Sequence, residues 1–266
     1  MGRIKLTVAY DGTNYHGWQL QPGRATIEGE LNKALSNLTG EKVCVTGASR
    51  TDAGVHALGN VAVFDTGSRI PAEKFSYALN QRLPADIVVQ SSEKVPDDFH
   101  PRHCECCKTY EYTILNRKFP LPQYRNTAYF YYGKLDINKM CSACKAFIGE
   151  HDFAGFCSSG AQVQSTVRTI YSLEVLEEKI QEPGMCIIGN QEGAYDTANT
   201  GSIITIRVKG NGFLYNMVRI IAGTLLEAGK GRIEPDDMEK IIASCDRSRA
   251  GATAPARGLK LVQILY

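Results

Sequence analysis

The sequence predicts an α+β fold: two ferredoxin-like halves of βαββαβ type, joined into one extended, mostly antiparallel sheet with its helices on one face. Two patterns predict it. Apolar and polar residues alternate over short stretches such as residues 4–10 and 108–116, which describes strands with one buried face. Between them apolar residues recur every three or four positions, as at Ile27, Leu31, Ala34, Leu35 and Leu38, which describes helices.

The elements of the first half follow in order. Residues 4–10 form a strand that stops at Asp11-Gly12, and residues 17–23 are a loop rich in turn formers. Thr26 is placed to cap a helix whose first turn holds Glu28 and Glu30, acids suited to the positive end of the helix dipole, although Gly29 denies it a capping box. A strand over residues 42–46, a loop over 47–57 and a strand over 60–64 come next. A helix over 71–83, with Phe75, Leu79 and Leu83 on one face, and a strand over 86–90 complete the half, which is assigned residues 1–105.

Residues 106–266 repeat the element order without repeating the sequence. A strand over 108–116 places Tyr110, Tyr112 and Ile114 on one side, and a helix over 136–149 carries the stripe Met140, Cys144 and Phe147. Strands over 168–176 and 202–209, a strongly apolar helix over 212–229, a short helix over 236–243 and a strand over 259–265 follow. Residues 177–200, with Pro183, Gly184, Gly189 and Gly193, read as a hairpin or excursion that extends the flanking strands.

With 266 residues, 43% hydrophobic and 22% charged, the chain has the composition of a globular protein with a sizeable core. No apolar run of about 18 residues occurs, and residues 1–5 lead into the first strand without a signal-peptide core, so the expectation is a cytoplasmic protein away from membranes. The net charge of +2 is small but unevenly spread. Residues 100–134 carry six Lys and Arg against two acids and residues 201–233 five against one, whereas residues 171–200 carry six acids against Lys179. Such segregation suits a phosphate-binding groove, and equally suits ordinary solvated faces.

Nine cysteines, odd in number and irregularly placed, read as thiols. Cys104 and Cys107, and Cys141 and Cys144, have the CxxC spacing of zinc ligands, but neither pair is flanked by the Gly-rich turn of a zinc knuckle. Core packing on the predicted helix accounts for Cys141 and Cys144, and no metal is expected.

The loop Gly47-Ala-Ser-Arg-Thr-Asp-Ala-Gly-Val-His-Ala57 is the most informative stretch. It sets a single carboxylate, Asp52, among small residues, with Arg50 before it and His56 after it, where a strand gives way to a Gly-permitted turn. A loop of that kind presents a side chain at a cleft floor. The same residues also suit an Asx-turn or a helix cap, with Arg50 a surface cation.

Nine blocks in order, spanning essentially the whole chain, resemble the tRNA pseudouridine synthase A family. They are Tyr10-Asp-Gly-Thr-Asn-Tyr-His-Gly-Trp-Gln19, the Asp52 loop, Leu79-Asn80 with Leu83-Pro84, Phe99-His-Pro-Arg102, Lys108-Thr-Tyr-Glu-Tyr112, His151-Asp-Phe153, Ser165-Thr-Val-Arg-Thr-Ile170, Asn211-Gly-Phe-Leu-Tyr-Asn-Met-Val-Arg219 and Ala252-Thr-Ala-Pro-Ala256.

The resemblance implies an enzyme that isomerises uridine to pseudouridine near the 3′ side of the tRNA anticodon stem-loop, without metal or organic cofactor, in a central RNA-binding cleft. It implies that Asp52 is the catalytic carboxylate, that Arg219 pairs with it, that Tyr110 stacks on the target uracil and that Arg50 enters the space left by the flipped base. Arg102, Lys108, Arg168 and Lys209, with Lys230 and Arg232, lie in or beside the basic segments as phosphate contacts. A homodimer is implied too, with residues 106–266 completing the active site and supplying the dimer contact.

Tyr215 and Arg257 depart from the family's common residues, which bears on fine substrate contacts. A catalytically silent RNA-binding or tRNA-chaperone protein is the main alternative. A zinc-dependent nucleic-acid module rests only on the CxxC pairs, and a hydrolase would need His56, read as a structural loop residue, beside Asp52.

Overall fold

In a computed structural model, which describes residues 2–160, 163–180 and 201–266, ten strands form one sheet and five α-helices accompany it. The first half runs β1 (Gly2–Tyr10), α1 (Ile27–Thr39), β2 (Thr46–Gly47), β3 (His56–Thr66), α2 (Phe75–Asn80) and β4 (Ile87–Val95). The second runs β5 (Cys107–Asn116), β6 (Tyr129–Tyr131), α3 (Ile137–Cys144), β7 (Gly149–Asp152), β8 (Val167–Lys179), β9 (Ser202–Gly210), α4 (Met217–Gly229), α5 (Met238–Ala243) and β10 (Leu259–Leu265).

The strand order is β4-β1-β3-β10-β5-β9-β8-β7, with β2 on β3 and β6 on β5. Within it the ferredoxin-like arrangement occurs twice, as β4-β1-β3-β2 and as β10-β5-β9-β8. The join is β10, antiparallel to β5 and parallel to β3 through Lys260 opposite His56 and Leu261 opposite Ala57. Elsewhere the main pairings are antiparallel.

Alternation decides the two faces. Ile4, Leu6 and Val8 of β1, Tyr110, Tyr112 and Ile114 of β5 and Ile204, Ile206 and Val208 of β9 are buried under the helices. The opposite face carries ion pairs, Lys5 with Glu93 at 2.6 Å and Glu111 with both Arg207 at 2.8 Å and Lys260 at 2.9 Å. Helix α4 is buried almost all round, as its apolar sequence predicts.

Several boundaries differ from the sequence reading. Residues 42–45 belong to no strand, because side chains of α1 take donors there: Ser36 Oγ accepts from Val43 N at 3.1 Å and Asn32 Oδ1 from Val45 N at 2.8 Å. The apolar helix begins at Met217, not at 212, because Asn216 has a left-handed backbone, φ 61°, that α-helix does not admit. The expected 71–83 helix is a 3₁₀ turn, Ala72–Lys74, followed by the shorter α2, and the 136–149 helix ends at Cys144 before a 3₁₀ turn. Gly149, at φ 109°, then starts β7, a strand that lacked an alternating signal, as did β6.

Thr26 caps α1 by accepting from Gly29 N at 3.3 Å. Cys144 is buried in the predicted stripe with Met140 and Phe147, but Cys141 is exposed, contrary to the core reading. Of the 177–200 excursion, residues 177–179 continue β8 and residues 181–200 lie outside the described residues. Among the described residues no helix is long and apolar enough to cross a membrane, and no group of three or more His, Cys, Asp or Glu could hold a metal ion.

Candidate active site

The loop between β2 and β3 is held from several sides. Asn60, fully buried in β3, accepts from the N–H of Ser49 at 3.3 Å and of Val61 at 2.9 Å, and donates to Ser49 C=O at 3.0 Å and the Tyr10 hydroxyl at 3.1 Å. The Tyr10 and Thr51 hydroxyls are 2.7 Å apart, and Trp18 N–H donates to Thr51 C=O at 2.9 Å. Close approach needs glycine twice: a Cβ on Gly17, at φ +89°, would lie 2.6 Å from Thr51 O, and one on Gly47 would collide with the Trp18 ring. Two cations complete the frame, Arg102 Nε donating to Gly47 C=O at 2.7 Å and Lys108 Nζ to Ala48 C=O at 3.3 Å.

This frame presents Asp52 to a cleft of about 720 Å³, within the usual range for small-ligand sites. Arg50, Arg102, Lys108 and Tyr110 line the same cleft. Arg219, two residues into α4, reaches Asp52, its Nη1 3.6 Å from Asp52 Oδ2. The guanidinium is itself anchored, Nε donating to Ala254 C=O at 2.7 Å and Nη1 to Asn216 Oδ1 at 2.7 Å. The left-handed turn at Asn216 therefore does two jobs: it starts α4 and supplies the acceptor that orients the arginine.

Burial raises the Asp52 carboxyl above its ordinary range, and the charge of Arg219 opposes that rise. Desolvation outweighs the cation here. Tyr110 is buried with its ring edge-to-face against Phe213, centroids 5.2 Å apart. Burial pushes its phenol up to about 12, so it enters the cleft protonated, as a neutral hydrogen-bonding group. The next inward residue of β5, Tyr112, is structural: its hydroxyl donates to Pro255 C=O at 2.9 Å.

The other residues singled out in the sequence divide. Arg50 is exposed at the cleft. Arg168 donates to the carbonyls of Ser165 and Val167 at 2.9 and 2.6 Å, and its charge, with that of Arg102, helps burial hold the Lys108 ammonium below its usual range. Lys209 lies elsewhere: Val208 sits opposite Tyr110, so the next residue projects from the far face with Arg207. Lys230 and Arg232 both pair with Glu227, at 2.8 and 3.1 Å, beyond Arg219 toward the other end of α4.

His56 is a tie between segments. Its Nδ1 accepts from Gly12 N–H at 3.1 Å and its Nε2 faces Asn126 C=O at 2.8 Å, with Asp11 Oδ1 3.1 Å from Nδ1. It lines a separate cleft of about 670 Å³ with Asp11, Asp86 and Lys260, which does not include Asp52. Tyr215, one of the sequence departures, lines the Asp52 cleft and is half exposed.

Sequence reasoning missed Asn60, Ser49, Asn216 and the carbonyl of Ala254. Asn60 had a readable signal, a lone amide opening the run Asn60-Val-Ala-Val-Phe64. Ala254 had none, because its contribution is a backbone oxygen.

A family model described as tRNA pseudouridine synthase matches residues 6–103 and 143–266. The chain is 49% identical over 266 residues to tRNA pseudouridine synthase A of Ruminiclostridium cellulolyticum and 46% identical over 266 residues to that of Acetivibrio thermocellus, each match covering 100% of both chains. It is 46% identical over 265 residues to tRNA pseudouridine synthase A 2 of Clostridium tetani, covering 99% of this chain and 98% of that one. A framed, cation-paired carboxylate beside a buried tyrosine thus lies within a chain matched from end to end, and the chain belongs to the tRNA pseudouridine synthase family, whose members are isomerases.

Proposed function

We propose that the protein isomerises uridine in the anticodon stem-loop of tRNA, with Asp52 as the carboxylate that acts at the ribose. The observation that carries this reading is that Asp52, paired with Arg219 at 3.6 Å, lines one cleft with the buried Tyr110. In the proposed reaction the C1′–N1 bond breaks, the uracil turns, C1′–C5 forms, the proton on C5 leaves to solvent and N1 takes up a proton. Atoms balance without a cofactor. Asp52 either attacks C1′ or assists loss of a ribose proton, and both need it ionised, the form that Arg219 favours.

Tyr110 offers a face for the extruded base, a stacking contact worth about 1–3 kcal/mol. Arg50, an exposed planar cation, is assigned the space the base vacates, and Arg102, Lys108 and Arg168 the phosphates around the cleft. The proposal includes a cytoplasmic homodimer, and a division into residues 1–105, carrying the Asp loop, and 106–266, completing the site.

The test is tritium release from 5-tritiated uridine in unmodified tRNA, beside the same tRNA with cytidine replacing the uridines of the anticodon arm. Release that disappears with that replacement, and with Asp52→Asn, is expected. Release unaffected by the replacement would move the target out of the anticodon arm; none from any tRNA would end the proposal.

A further inference from the structure

Ser49 is held by its backbone but not by its hydroxyl. Its N–H and C=O are both held by Asn60, so its backbone is fixed and its hydroxyl can swing only about χ1. Ser49 is 5% exposed, and among the described residues its Oγ has no partner in hydrogen-bond geometry. It lies near the Tyr110 hydroxyl, whose rise in pKa it partly offsets, and it lines the Asp52 cleft. Trp18 Nε1 and Thr109 Oγ1 are also buried without partners, but neither residue lines that cleft.

A buried hydroxyl without a partner is costly, and native proteins leave few of them. One that faces a cleft is satisfied by whatever fills it. We infer that the Ser49 hydroxyl is a substrate contact, donating a hydrogen bond to a carbonyl of the extruded uracil and so holding the base beside Tyr110 while it turns. The inference rests on the pseudouridine synthase reading. A base carbonyl is the fitting partner because Ser49 shares the cleft with the neutral phenol of Tyr110 and the carboxylate of Asp52, which repels phosphate. The adjacent cation, Arg50, is exposed to solvent where Ser49 is buried. The cations suited to phosphate are held at the loop's approach, on Gly47 and Ala48.

The test is a cycle between Ser49→Ala and tRNA bearing 2-thiouridine or 4-thiouridine at the target, since sulfur accepts hydrogen bonds more weakly than oxygen. Conversion is followed under single turnover by nucleoside chromatography, with tRNA affinity and melting temperature measured alongside. On the ordinary tRNA the variant is expected to convert about five- to tenfold more slowly, the worth of one neutral hydrogen bond, with unchanged tRNA affinity. Its melting temperature should stay close to that of the unaltered chain, because among the described residues the hydroxyl it loses has only the Tyr110 hydroxyl nearby and makes no bond in hydrogen-bond geometry. One thio-substrate should slow the unaltered enzyme but cost the variant nothing further.

Turnover of the variant within twofold of the unaltered enzyme would overturn the inference, as would additive losses with both thio-substrates. A melting temperature several degrees lower would also overturn it, assigning Ser49 to the frame of the loop. Failure of the unaltered enzyme on the ordinary tRNA would instead remove the pseudouridine synthase reading, and this inference with it.

Discussion

Arg219 Nη1 stands 3.6 Å from Asp52 Oδ2 while the same guanidinium makes two 2.7 Å hydrogen bonds to Ala254 C=O and Asn216 Oδ1. Its shortest bonds go to the scaffold, and Asp52 receives its charge. The carboxylate thus sits farther from the guanidinium than either scaffold acceptor does.

Replacing Asp52 should separate activity from stability. Its carboxyl is raised in the folded chain, so the folded state binds the proton more readily than the unfolded state; the ionised group costs stability above its folded pKa, and stability is regained as pH falls through it. Asp52→Asn is expected to lose activity by more than about a thousandfold. Its melting temperature at neutral pH should hold or rise, as calorimetry would record.

Removing the cation should move the pH dependence upward. Arg219 lowers the Asp52 pKa against burial, so in Arg219→Ala the acidic limb of the rate profile shifts to higher pH. The stability loss expected in urea unfolding is about 1–3 kcal/mol, since the Ala254 carbonyl loses its guanidinium donor. An unmoved limb would separate Arg219 from the ionisation of Asp52.

Asn60→Ala should be among the more damaging single changes in the first half. It strands the N–H and C=O of Ser49 and takes one of two partners from the buried Tyr10 hydroxyl, which keeps Thr51. A loss of about 2–4 kcal/mol is expected in denaturant unfolding, with turnover falling in the fraction that remains folded.

Arg102 and Lys209 give opposite expectations although both come from basic segments. Arg102→Ala frees the Gly47 carbonyl and removes a cleft cation, so it should reduce turnover and lower the salt dependence of tRNA binding by about one unit of slope. Lys209→Ala, on the far face, should change neither.

Legibility in the sequence followed the physics of each element. Alternation and helical stripes are local, and they located β1, α1, β5, β9 and β10 closely. Residues 42–45 misled because β-branched composition reports extended backbone, and the donors there were taken by Ser36 and Asn32 rather than by a neighbouring strand. The start of α4 was hidden behind Asn216, whose left-handed backbone depends on tertiary context. Of the site, Tyr110, Arg50 and Arg219 were pointed to by the family resemblance and not by local pattern, and only the Asp52 loop stood out by its own residues. The Ala254 carbonyl that holds Arg219 was not legible, because a backbone oxygen is the same at every residue. Lys209 takes the face of β9 away from Tyr110, which charge counted along a segment does not reveal.

Strand β10, the last of the ten in chain order, lies between β3, which follows the Asp52 loop, and β5, which carries Tyr110. As a ribosome delivers the chain, the two sides of the cleft can each begin to fold, yet nothing in the sheet links them until residues 259–265 emerge. Ala254 and Pro255, which anchor Arg219 and Tyr112, emerge only just before. A chain without residues 259–265 would keep both sides of the cleft but no strand pairing between them among the described residues, and long-range pairing of this kind is of the slow-forming sort.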